Sequence, residues 1–227
     1  MAVKTTQPGT RSALARVARM VPKPKRPETY HHGSLREALL QAAERILERD
    51  GIQGLTLRAA AREAGVSHAA LMNHFGDMTG LLSDLAAVGF ERFVAMMTTH
   101  VREGDTPAAR MQAIGHGYVE FAQAHPGLFL LMFRSERLDL SRPALRAAVE
   151  ASSRALSGAV GARRNESVEA QLTLPQAAQI VAAWSLVHGF AMLLLDGRLR
   201  SLLARLPPGV DATALLDAIF TGAKPKR

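Results

Sequence analysis

The stretch SHAALMNHF, residues 67–75, sets two histidines and an asparagine on a segment with no lysine or arginine. Imidazole can ligate a metal, while imidazole, hydroxyl and carboxamide groups can also hydrogen-bond to base edges or phosphates. His68 and His74 lie six positions apart, about 240° around a helix, so they cannot share a metal on one helical face. His31 and His32 would reach His74 only through a tertiary coincidence, and no metal or other cofactor is expected. Nucleophilic chemistry is equally poorly served. The chain has no cysteine. It shows no GxSxG elbow, P-loop, GxGxxG or HExxH, and Ser185 with His188 has no recognisable acid partner, so no enzyme is expected. What remains is recognition: the small Ala69 and Ala70 let a helix backbone approach a groove closely, and His68 and Asn73 offer hydrogen bonds to what lies in it.

Charge placement favours a polyanionic partner. The 227 residues carry a formal +8, and residues 1–27 hold seven basic side chains and no acid. The last four residues, KPKR, add three more, so the body between the tails is slightly acidic. This pattern suits nucleic acid, with residues 1–29 as a disordered basic arm and 223–227 as a basic tail. The Arg-rich start also imitates an organellar transit peptide, although VPKPKRPE reads better as a stiff linker into a domain. The lack of cysteine removes any disulfide framework and fits a reducing compartment; the expected location is cytoplasmic.

The elements that must position residues 67–75 read as helix after helix. Ser34 with Glu37 forms a capping box ahead of Leu35, Leu39, Ala42 and Ile46 at helical spacing, and Gly51 ends the run. Thr56 caps a short second helix, Gly65 supplies a turn, and Ser67 caps a third. Val66, Leu71 and Phe75 mark the core face of that third helix, which leaves Ser67, His68, Ala69, Met72 and Asn73 on the other side. Longer helices follow over 78–102, from Thr106 and Pro107 to the His125-Pro126 pair, over the apolar GLFLLMFRSE, from Ser141 and Pro143 to about Gly161, from an opening at Thr173, Pro175 and Gln176 to Leu195, and after the cap Asp211. No segment alternates like a strand with hairpin turns, so the fold class is all-α: a three-helix helix-turn-helix domain at 30–77 and a larger helical domain at 78–222.

GLTLRAAAREAGVSHAALMNHFGDMTGLL resembles the DNA-binding module of the TetR family of bacterial transcriptional regulators, and YHHGSLREALLQAAERIL resembles its first helix. WSLVHGFAMLLLDG, from Trp184, resembles the Trp-His-Gly element of one C-terminal domain type in that family. The resemblance spans about residues 30–222. It implies a dimer on double-stranded DNA, reading an inverted-repeat operator as a ligand-responsive repressor. On this pattern Arg58 reaches the major groove, Ser67, Ala70 and His74 lie near phosphate, and Thr56, His68, Ala69, Met72 and Asn73 complete the DNA-binding set. Two positions depart from the pattern, with Met72 where a tyrosine is usual and Met78 where a lysine is usual. Both losses remove phosphate anchors, so the alternative is a TetR-like small-molecule-binding module whose DNA binding is weakened or lost.

The C-terminal half carries a less specific message. Residues 175–195 are uncharged over 21 positions, long enough to span a bilayer, but two Gln, one His and one Ser point to a helix buried among others and to no membrane partner. By the resemblance, Trp184, Leu186, Phe190, Leu194, Leu215, Leu216, Ile219 and Phe220 form a four-helix homodimer interface. Trp184 and His188 share a helix face one turn apart. Phe93, Met97, His100, Phe121, Met132 and Phe133, with Trp184 and His188, could line a pocket for an apolar or weakly polar effector.

Overall fold

The computed structural model describes residues 32–168 and 171–222 together with Met1. Apart from Met1, the expected basic arm and the basic tail lie outside the described residues. Within them the chain is helical throughout, and no strand occurs among the described residues.

α1 (His32–Gly54) begins two residues before Ser34, so that serine sits in the first turn and not at the expected cap; neither His32 nor Gly33 interrupts the helical backbone. Gly51, at φ 68° and ψ −176°, breaks the run where the sequence reading ended it, a backbone state that glycine adopts without a Cβ penalty. Leu39, Ala42 and Ile46 are buried, as their spacing requires. α2 (Leu57–Glu63) and α3 (His68–Phe75) form the helix-turn-helix. Each is capped as expected: Thr56 Oγ1 accepts from the Ala59 amide and Ser67 Oγ from the Ala70 amide, both at 3.1 Å.

α4 (Met78–Thr99) follows at once, with Asp77 Oδ1 accepting from the Gly80 amide at 2.7 Å. It stops three residues short of the expected end. Thr98 and Thr99 turn their hydroxyls back onto the carbonyls of Val94 and Ala95, an alternative to continued helical pairing. α5 (Pro107–Ala124), α6 (Pro126–Met132), a 3-10 turn at Ser135–Arg137 and α7 (Pro143–Arg164) come next. α7 runs past Gly161 to Asn165, which ends it in the left-handed region at φ 57°. Ser141 does not open that helix; its amide binds Asp139 instead. α8 (Leu174–Leu195) starts from a full Thr173/Gln176 capping box, and α10 (Ala212–Thr221) from Asp211. Between them α9 (Arg200–Leu203) is a single turn that the sequence reading missed, being too short to show periodicity.

α4 is the axis of the molecule, packing against α1, α3, α5, α6 and α7. α8 lies on α5 and α7, and α10 on α5. One hydrophobic core runs from Leu39 of α1 through Leu71 and Phe75 of α3 to Phe93, Phe129 and Leu216, so helix-turn-helix and larger domain share packed side chains.

Candidate DNA-reading surface and effector cavity

The reading surface follows from how α3 buries one side. Leu71 and Phe75 are buried and Val66 is half-buried, which turns Ser67, His68, Ala69 and Asn73 outward, exposed. Ala70, Met72 and His74 are half-buried, and the His74 ring leans on Phe75 with centroids 6.2 Å apart. Thr56 and Arg58 are exposed at the start of α2. Met78 is half-buried and packs on the core, which explains how an apolar residue is tolerated there.

The second site is a cavity of about 580 Å³ between α4, α5, α6, α7 and α8. Of the eight residues expected to line it, Phe93, Met97, Met132, Phe133 and Trp184 do. His100 does not: it is exposed, with Nε2 2.7 Å from Glu120 Oε2. Phe121 is fully buried behind the wall, edge-on to Phe93 at 5.2 Å. His188 also stands behind the wall, 4.7 Å from the Phe133 ring centroid, and reaches the cavity only through Tyr118. Each of the three is apolar or ambivalent at a helical spacing that fits wall and core alike, so spacing could not separate them.

Sequence reasoning missed Tyr118 and the serines of α7. Tyr118 lines the cavity, accepts a hydrogen bond from Trp184 Nε1 at 3.3 Å and shares a second with His188 Nδ1 at 2.8 Å. Burial pushes the phenol well above its ordinary pKa and pulls the His188 imidazole below its own, so both stay neutral. Ser152, Ser153 and Ser157 place hydroxyls along one wall, and Arg154 stands at the rim. The cavity can therefore hold a mainly apolar molecule and orient it by a few hydrogen bonds.

The expected dimer residues divide. Trp184, Leu186 and Ile219 are exposed by 43, 39 and 41%. Leu194, Leu215 and Phe220 are half-buried, whereas Phe190 and Leu216 belong to the core of the chain itself and cannot face a partner. Only Val187, Phe190 and Ala191 of α8 are buried, so the helices of this one chain cover α8 on a single side. By length and composition α8 is apolar enough to cross a membrane, and its outer side is left uncovered.

Comparison with known proteins places both halves. Residues 39–85 match the model of bacterial regulatory proteins of the tetR family, and residues 111–219 that of the tetracyclin repressor-like C-terminal domain. The chain belongs to the TetR family. A solved structure, that of a protein of unknown function from Rhodococcus sp. RHA1, is 34% identical, with a TM-score of 0.68 over 86% of this chain and 96% of its own. The HTH-type transcriptional regulator YobS of Bacillus subtilis (strain 168) is 27% identical over 111 residues, 48% of this chain and 58% of YobS. The nucleoid occlusion factor SlmA of Marinobacter nauticus is 30% identical over 95 residues, 42% of this chain and 49% of SlmA. The chain thus spans about half the length of these curated relatives. The family to which it belongs is one of bacterial transcriptional regulators.

Proposed function

We propose that this TetR-family chain is a ligand-responsive repressor that binds an inverted-repeat operator as a homodimer in the cytoplasm. The observation that carries the reading is the outward face of α3, where Ser67, His68, Ala69 and Asn73 stand free on a helix held from behind by Leu71 and Phe75. With residues 30–77 as the reading domain, Arg58 is the direct reader of a guanine, and Thr56, Ser67, Ala70, Met72 and His74 border the phosphates. Two such helices on a two-fold axis would enter major grooves about 35 Å apart or a multiple of it. The effector is a mainly apolar molecule in the 580 Å³ cavity. It releases DNA by binding better to a dimer whose reading helices are wrongly spaced, since equal affinity for both states shifts nothing. Membership of the Trp-His-Gly subgroup rests on Trp184, His188 and Gly189 alone.

A second reading has its own observation. Met72 and Met78 replace polar residues usual at those places, which favours a ligand-binding module with weakened DNA affinity. Selection of duplexes from a random-sequence pool separates the two. A regulator enriches a symmetric site, and Arg58→Ala then relaxes preference at one base pair per half-site, costing about 1–3 kcal/mol. Enrichment of no sequence would leave the module reading. Uniform weakening on every sequence would reassign Arg58 to phosphate.

A further inference from the structure

Among the described residues two polar side chains are buried, Ser83 and Asp84, neighbours on α4. A buried carboxylate is costly unless it is paired, and Asp84 is paired twice. Arg36 of α1 donates from Nη2 to Oδ2 at 2.8 Å, and Arg142, just ahead of α7, donates from Nε to Oδ1 at 3.0 Å, with its Nη2 2.9 Å from the same oxygen in an ion pair. Ser83 Oγ accepts the Asp139 amide at 2.8 Å while donating to the Thr79 carbonyl. Both buried polar groups of α4 therefore fasten one segment, 138–142, and Leu138 and Leu140 of that segment line the cavity. At the other end the Arg36 guanidinium lies 5.8 Å from the ring centroid of Phe75, the last residue of α3. Gly80 makes the crowding feasible. A Cβ there would meet the Phe75 carbonyl oxygen at 2.0 Å and stand 3.4 Å from Arg142 Nη1.

We propose that Asp84 is the post through which the cavity wall sets the pose of the reading head, with Arg142 as a positioning residue that never touches DNA. The inference rests on the reading of the chain as a DNA-binding regulator. Two guanidinium groups, one from α1 and one from the cavity wall, share a single carboxylate. An occupant that lifts 138–142 withdraws Arg142 and leaves Arg36 to hold Asp84 alone. The reading head then samples other poses, and apparent DNA affinity falls with the fraction that remains competent.

The test measures affinity of the full-length protein for a duplex that the unaltered protein has selected from a random pool. Arg142→Gln and Arg36→Gln are made singly and together with Asp84→Asn, and each protein is melted to show that it is folded. Both arginines are partly exposed, at 32 and 42% of the side chain, so their variants should fold. Arg142→Gln is expected to weaken binding about fivefold or more, a typical coupling between distant sites. The salt slope should stay unchanged, because no phosphate contact is lost. In protein already carrying Asp84→Asn, the same substitution should do almost nothing. An unchanged affinity for Arg142→Gln, or an equal loss with and without Asp84→Asn, would overturn the clamp. Should Asp84→Asn fail to fold, the Arg36→Gln/Arg142→Gln pair gives the cycle. A combined loss departing about threefold or more from the product of the single losses supports the shared post, and a simple product overturns it. If the unaltered protein selects no duplex, the regulator reading falls and the proposal with it; additive effects remove the clamp alone.

Discussion

Burial acts on the Tyr118–His188 pair from both sides, holding the phenol protonated and the imidazole neutral, so the hydrogen bond between them needs no charge. The native pKa of His188 lies below its ordinary 6.5 because burial disfavours the imidazolium. Above pH 6.5 the group is neutral in both folded and unfolded chains and contributes nothing to pH dependence. As pH falls below that value the unfolded chain takes up the proton first, so stability declines until pH passes the native pKa and then levels. The melting temperature should thus drop more steeply below pH 6.5 in the unaltered protein than in His188→Gln. Parallel pH curves would mean that His188 is solvated. Half of this arrangement was legible beforehand: a one-turn spacing puts Trp184 and His188 on one face, and their rings are 6.2 Å apart. Tyr118 was not legible, because 66 and 70 residues separate it from its partners.

Helix ends show the same division between local and distant causes. Thr56, Ser67, Asp77, Thr106, Thr173 and Asp211 each cap the helix that follows within three residues, which is why pattern reading located those starts. α6 has no such residue, since His125 makes no side-chain cap. Its amides at Gly127 and Leu128 donate instead to Glu48 of α1, both at 2.9 Å. A carboxylate at a helix N-terminus satisfies orphan donors and meets the positive end of the helix dipole. The same contact ties α1 to the helix whose Met132 wall faces the cavity. Glu48→Ala should cost about 1–2 kcal/mol, and Glu48→Gln less, since an amide oxygen still accepts. Urea denaturation midpoints measure this; a loss within about 0.5 kcal/mol would place Glu48 among ordinary surface positions.

On the scale of the molecule, the unsolved element of the single chain is α8. Its inner side holds Val187, Phe190 and Ala191, while Ala178, Val181, Ala182, Ser185, Leu186 and Leu193 face outward and are exposed. So apolar a helix needs cover, and composition alone cannot distinguish a helix enclosed by its own domain from one enclosed by a second copy; the sequence points to burial among other helices and, by the family resemblance, to a dimer interface. Gly189 sharpens the point. A Cβ there would meet nothing within 4 Å, so nothing in the chain itself requires a glycine at that position. A closely approaching α8 from a second copy would, since an isologous interface brings the same stripe against itself. Gly189→Glu separates these cases cleanly. In the isolated chain it removes a residue that is about 1 kcal/mol poorer than alanine in a helix, so the fold should be kept or strengthened. In a dimer it buries two like charges near the axis, where they have no partner. Light scattering should report a dimer for the unaltered protein and a helical, cooperatively melting monomer for Gly189→Glu, with affinity for a full inverted repeat falling towards that for a half-site. A dimer that survives the substitution undiminished would move the interface off this stripe of α8.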